Sequence, residues 1–183
     1  MADIVHGVEE ALRTVKHMAW IDTTRIGVIG HSYGGYMVNA LVARTHEFRA
    51  AVAVSGLSDL AHDAMTRVSY GTDWVYAGQP RMELPIQVAP ERYVNNSPVM
   101  FLDSVTTPLL LIHGVLDYTA DIVHAEEMFQ RLASRHKIVR LERYRYGEHE
   151  NDDFLDRAWA DALDWFDTYL QHDARGGRWG GAE

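Results

Sequence analysis

The feature that most restricts how this chain can fold is the run at 25–36, RIGVIGHSYGGY, in which a short apolar stretch leads straight into Gly30, His31, Ser32, Tyr33 and Gly34. This is the pattern G-x-S-x-G between an expected strand at 25–29 and an expected helix at 33–44, the arrangement of a nucleophile elbow. A serine hydroxyl is a poor nucleophile near neutral pH unless a base takes its proton. The turn must therefore hold Oγ clear of the backbone, where a histidine can reach it. Such a turn strains the serine backbone, and glycine is expected at 30 and 34 because side chains there would collide with the neighbouring strand and helix. A phosphate-holding turn at the helix N-terminus is the competing reading. It fails on spacing, since the chain has no G-x-x-x-x-G-K-[ST] and the glycines at 27, 30, 34 and 35 do not fit G-x-G-x-x-G.

The remaining pattern alternates. Helix is expected at 4–19, strand at 51–55, an irregular stretch at 57–103, strand at 109–113, helix at 120–134, strand at 138–144 and helix at 154–172. Alternation of this kind means βαβ units and a mostly parallel sheet flanked by helices, an α/β fold. In open parallel sheets the functional side chains gather beyond the carboxyl ends of the strands. Ser32, Asp117 and His149 each follow a strand, and they occur in the chain order Ser, Asp, His that an α/β-hydrolase requires. In that reading His149 takes the proton from Ser32 and returns it to the leaving group. Asp117 fixes the imidazole tautomer, and the backbone N–H of Tyr33 is one oxyanion donor. The chain has ten histidines, and Asp121, Asp152 and Asp153 are competing acids. In the last helix Leu155, Trp159, Leu163 and Phe166 recur at three- and four-residue spacing, a core-facing stripe.

At these residues the chain resembles the prolyl oligopeptidase family of serine peptidases, in its acylaminoacyl-peptidase-like branch. GHSYGGYM (30–37) is similar to that family's nucleophile segment, LIHGVLD (111–117) to its acid segment and YRYGEH (144–149) to its histidine segment, with SPVMFLDSVTTPLLLIHG (97–114) between them. The resemblance spans about residues 3–171. It implies an α/β-hydrolase fold and a serine peptidase acting on peptides or acylated peptides through an acyl-enzyme, with small acyl esters as alternative substrates. Three departures stand out. Glu148 and Glu150 flank His149 where the family usually has glycines. Leu57 and Leu60 stand where prolyl-specific members carry aromatics, so narrow proline specificity is not expected. The strands that precede the nucleophile strand in family domains, with the loop that gives a second oxyanion donor, have no counterpart in this sequence.

That last departure suggests a fragment, a cleaved chain or a short homologue, truncated at the N-terminus. Without those strands 25–29 becomes a sheet edge with unpaired backbone groups. A homo-oligomer, or a partner chain covering that edge, is therefore expected, and a catalytically weak module acting through assembly is the alternative of another class. The expected layout is one hydrolase portion at 1–172, with 57–103 as a loop-rich insertion over the site and a Gly-rich disordered tail at 173–183. Within the insertion Tyr70 and Trp74, with Leu57 and Leu60, are the candidate substrate-binding residues; the alternative is that the aromatics simply pack the insertion onto the sheet. Asp59, His62 and Asp63 lack a metal-binding frame, so no metal or cofactor is expected.

Composition narrows the partners. A length of 183 residues with 47% hydrophobic content suits one domain with a sizeable core, and the formal net charge of −9 argues against nucleic acid and anionic membranes. No run approaches 18 apolar residues and no signal-peptide pattern opens the chain, so no membrane association is expected. With zero cysteines there is no disulfide or thiol chemistry, which is compatible with the expected cytoplasmic location.

Overall fold

A computed structural model of the protein describes residues 1–66 and 80–171. Four parallel strands form the sheet in the order β1 (Gly27–His31), β2 (Ala50–Val54), β3 (Leu109–Gly114) and β4 (Val139–Tyr144). Helix α1 (Ala2–Lys16) precedes β1, α2 (Tyr33–Arg44) links β1 to β2, α5 (Val123–Ala133) links β3 to β4, and α6 (Asp152–Phe166) follows β4 and runs into a π-helical turn at Asp167–Gln171. The stretch expected to be loop-rich carries short helices α3 (Leu60–Thr66) and α4 (Pro90–Asn95) and a 3₁₀ turn at Pro98–Met100.

The two central strands are buried on both faces, which is why they read as unbroken apolar runs rather than alternating ones. Ala51, Ala53, Leu109 and Leu111 face one layer, packed by Val38 and Val42 of α2 and Met128 and Leu132 of α5. Val52, Val54, Leu110 and Ile112 face the other, under Phe154, Ala158, Ala162 and Trp165 of α6. The stripe of the last helix is thus set by the phenylalanine, alanine and tryptophan positions. Leu155 and Phe166 of the expected stripe pack at its margin, while Trp159 and Leu163 are exposed. Helix α1 packs through Val5 against Leu41 of α2 and Phe48 of the connection to β2.

β1 begins two residues later than its apolar pattern suggests and runs on to His31, because pairing with β2 continues from Gly27↔Ala50 to His31↔Val54. It is an edge: among the described residues no strand pairs with its outer side. No helix among the described residues is long and apolar enough to cross a membrane. The expected tail at 173–183 lies outside the described residues.

Candidate active site

The sheet delivers three loops to one rim. At the first, β1 ends at His31 and α2 begins at Tyr33, leaving Ser32 to make the whole turn at φ 57°, ψ −119°. A non-glycine residue with φ in that range is strained, and it holds only where its surroundings over-determine it. Here they do: the Ser32 N–H donates to the Val54 carbonyl of β2 at 2.9 Å, and its own carbonyl accepts from Tyr36 N–H at 3.0 Å. A Cβ on Gly30 would run into the backbone of Gly34, as the motif leads one to expect. The other required glycine is different. A Cβ on Gly34 meets nothing within 4 Å, whereas one on Gly35 would lie 2.7 Å from Gly56 Cα and from the Val54 carbonyl oxygen. The close packing of helix on strand is therefore carried by Gly35, not Gly34.

The second loop, after β3, closes tightly around Asp117. Its Oδ1 accepts from the backbone N–H groups of Thr119 at 2.9 Å and Ala120 at 2.8 Å, and its own N–H donates to the Gly114 carbonyl at 3.2 Å. This is an aspartate turn in which the side chain replaces a backbone acceptor. His113, buried in β3, donates its Nε2–H to the Ala120 carbonyl at 2.9 Å, and that same nitrogen stands 3.4 Å from Asp117 Oδ2. Burial by itself pushes the Asp117 carboxyl up. The hydrogen bonds from His113, His149 and the Ala120 N–H outweigh that and hold it well below the usual carboxylate range.

The third loop, after β4, carries His149. Its Nδ1 lies 2.8 Å from Asp117 Oδ2 and its Nε2 lies 2.8 Å from Ser32 Oγ. A carboxylate can only accept, so Nδ1 bears the proton in the neutral ring and Nε2 is left to accept from the serine hydroxyl. The loop is pressed against the acid loop at two glycines: a Cβ on Gly114 would strike the Gly147 backbone, and one on Gly147 would come to 2.8 Å from Gly114 Cα. Asn151 then caps α6, its Oδ1 accepting from Phe154 N–H at 3.1 Å.

Ser32 and His149 open into a cleft of about 640 Å³ lined also by Leu116, Tyr118, Thr119, Glu148, Glu150 and Asn151. Of the candidate substrate contacts, Tyr70 and Trp74 lie outside the described residues. Leu57 and Leu60 are 5% and 0% exposed and pack with Tyr36, Met82 and Tyr93 in a buried cluster under α2, away from the cleft lining. Their side chains fill core volume, which is what leucine in place of an exposed aromatic would do. Tyr118, 85% exposed on the cleft wall, was not singled out from sequence, although its place next to the acid was a usable signal. His31 and His113 lie inside the nucleophile and acid segments, but spacing alone assigned neither a role. Asp59 caps α3, accepting from Ala61 and His62 N–H at 2.9 and 3.0 Å, and among the described residues no group of three or more metal-ligating side chains converges.

A strained serine elbow on a parallel sheet, with an aspartate and a histidine on the loops after later strands, defines the α/β-hydrolase class. The family model of the prolyl oligopeptidase family matches residues 1–173, and the chain belongs to that family. It is 33% identical over 149 residues to the uncharacterized peptidase YuxL of Bacillus subtilis (strain 168), covering 80% of this chain and 21% of that protein. To the human acylamino-acid-releasing enzyme it is 28% identical over 178 residues, covering 91% of this chain and 23% of the relative. An uncomplexed acylaminoacyl peptidase from Pyrococcus horikoshii superposes with a TM-score of 0.75 at 26% identity, covering 96% of this chain and 28% of that one. The chain thus spans 21–28% of the length of these proteins.

Proposed function

We propose that the protein is a serine hydrolase that cleaves peptide or acyl-peptide bonds through an acyl-enzyme on Ser32. The observation that carries this is the continuous relay from Ser32 Oγ to His149 Nε2 and from His149 Nδ1 to Asp117, each link 2.8 Å. His149 Nε2 removes the hydroxyl proton as Oγ attacks the substrate carbonyl. The backbone N–H of Tyr33, the residue after the nucleophile, is assigned as one donor to the developing oxyanion. His149 then gives its proton to the leaving amine or alcohol, and water repeats the sequence to release the acyl group. Asp117 stays ionised throughout, which its hydrogen bonds favour, and so supports the imidazolium that forms.

Peptide and acyl-peptide substrates are favoured by the names of the relatives, and an open cleft with the exposed Tyr118 on its wall suits an acyl or side-chain group. Small acyl esters are the second reading, since an ester leaves without the protonation an amide demands. A fluorophosphonate probe tests the proposal: the wild type labels, and Ser32→Ala loses labelling altogether. A folded wild type that does not label would instead mark a catalytically inactive module.

A further inference from the structure

We propose that His31 is a positioning residue for this reaction, its ring N–H holding the main-chain carbonyl of His149 so that the His149 imidazole stays between Asp117 and Ser32. The inference rests on the reading of Ser32 and His149 as nucleophile and base. His31 Nε2 lies 2.8 Å from the His149 carbonyl oxygen, and the two rings stand 4.9 Å apart between centroids, tilted by 42°. A carbonyl only accepts, so Nε2 must carry the hydrogen. Burial pulls the His31 pKa below the ordinary value and favours the neutral ring, which leaves Nδ1 as its acceptor.

The need for such a tether follows from how the loop is otherwise held. On one side the Gly147 carbonyl accepts from Leu116 N–H at 2.9 Å; on the other, Asn151 starts α6, its carbonyl accepting from Leu155 N–H at 3.0 Å. Among the described residues no backbone-to-backbone hydrogen bond reaches 148–150, so the base sits on an unladdered bridge of three residues flanked by exposed glutamates. His31 supplies the contact to that bridge. It does so from a fixed place, because it is the last paired residue of β1, opposite Val54, and the direct neighbour of Ser32. One histidine thus ties the base's backbone to the strand that carries the nucleophile. The distance between them is set by the sheet rather than by the loop.

Loss of this bond should lower the rate of the chemical step while leaving substrate binding nearly alone, because His31 does not line the cleft. In saturation labelling with a fluorophosphonate, His31→Ala should reduce the maximal rate about fivefold, the factor one net hydrogen bond of ordinary strength commands, with the half-saturating concentration within about twofold. His31→Gln, whose amide can present N–H near the same carbonyl, should recover most of that loss, and His31→Leu, which fills the space without a donor, should not. Recovery by leucine and not by glutamine would assign His31 a packing role and overturn the proposal. Nitrogen NMR on the wild type tests it without any variant: the Nε2–H tautomer is expected for His31, and the Nδ1–H tautomer overturns it. Circular dichroism establishes that each variant compared is folded. Absence of labelling in the wild type would overturn the hydrolase reading itself, whereas equal maximal rates for wild type and His31→Ala would overturn the positioning role alone.

Discussion

The loop after β3 and the loop after β4 end at the same rim and serve the same relay, yet they are held in different ways. Asp117 is fixed by its own neighbourhood: two backbone N–H groups within three residues bond its Oδ1, and His113 four residues earlier closes on it from the strand. His149 is fixed by what is distant in sequence, with Ser32 and Asp117 at its two ring nitrogens and His31 at its carbonyl. A local turn forms wherever its few residues occur. A loop tied through side chains from other strands holds its shape only when the sheet is in register. The acid is thus a preformed element and the base an assembled one.

The largest test of that difference is to change the acid's chemistry without its shape. Asp117→Asn keeps a side-chain carbonyl to accept from Thr119 and Ala120, so the turn should survive and the circular dichroism spectrum should match the wild type, although the midpoint of unfolding near neutral pH falls by the contribution of the lost charge. Its amide group, however, can present N–H toward His149 Nδ1 and so favours the wrong imidazole tautomer. Turnover on an ester substrate should fall by about 10⁴-fold. A variant that keeps within tenfold of wild-type turnover would show that Asp117 orients nothing.

The same contrast explains what could be read from the residues alone. Ser32, Asp117 and His149 were legible because each follows a stretch that reads as a strand, apolar before Ser32 and Asp117 and mixed with charged residues before His149, and the parallel sheet aligns the carboxyl ends of those strands on one rim. The limits of β1 were not, because pairing with β2, not hydrophobicity, carries the strand through Gly30 and His31. Gly34 and Gly35 look alike in the motif; only the approach of Gly56 shows that Gly35 is the crowded one. Leu57 and Leu60 were placed by likeness to substrate contacts, while the fold turns them into the Tyr36 cluster. His31 gave no sign of its role because its partner, the His149 carbonyl, lies 118 residues away.

A smaller effect is expected where the two loops touch. Gly114→Ala would thrust a methyl group into the Gly147 backbone, and backbone on both sides cannot rotate out of the way. Overpacking of this kind costs about 1–3 kcal/mol. Chemical denaturation should show that loss, and fluorophosphonate labelling should slow as well, because the Gly147 backbone that the methyl group would strike belongs to the base's loop. A variant that loses stability but labels at the wild-type rate would mean that the base is not coupled to this seam. Gly34→Ala is the matched control, since a Cβ there meets nothing within 4 Å.

The smallest effect is a pH dependence that belongs to the acid turn. Burial would raise the Asp117 carboxyl, but hydrogen bonds from His113, His149 and the Ala120 N–H keep it below its ordinary value of 3.8 in the folded chain. Above that value both folded and unfolded chains carry the ionised group, and its full contribution to stability is present. As the pH falls below it, the unfolded chain takes up the proton first, so the unfolded state is favoured and the contribution declines. A single group can supply a slope of at most about 1.4 kcal/mol for each pH unit. Other carboxylates titrate in the same range, so the readout is the difference between two proteins. Unfolding free energies of wild type and Asp117→Asn, measured from pH 5 down to pH 3, should draw closer below about pH 4 as the wild type begins to lose the contribution that the variant never had. Parallel curves would mean that the hydrogen bonds around Asp117 do not favour its charged form, and the acid turn would then be a shape-holding element with no electrostatic part in the relay.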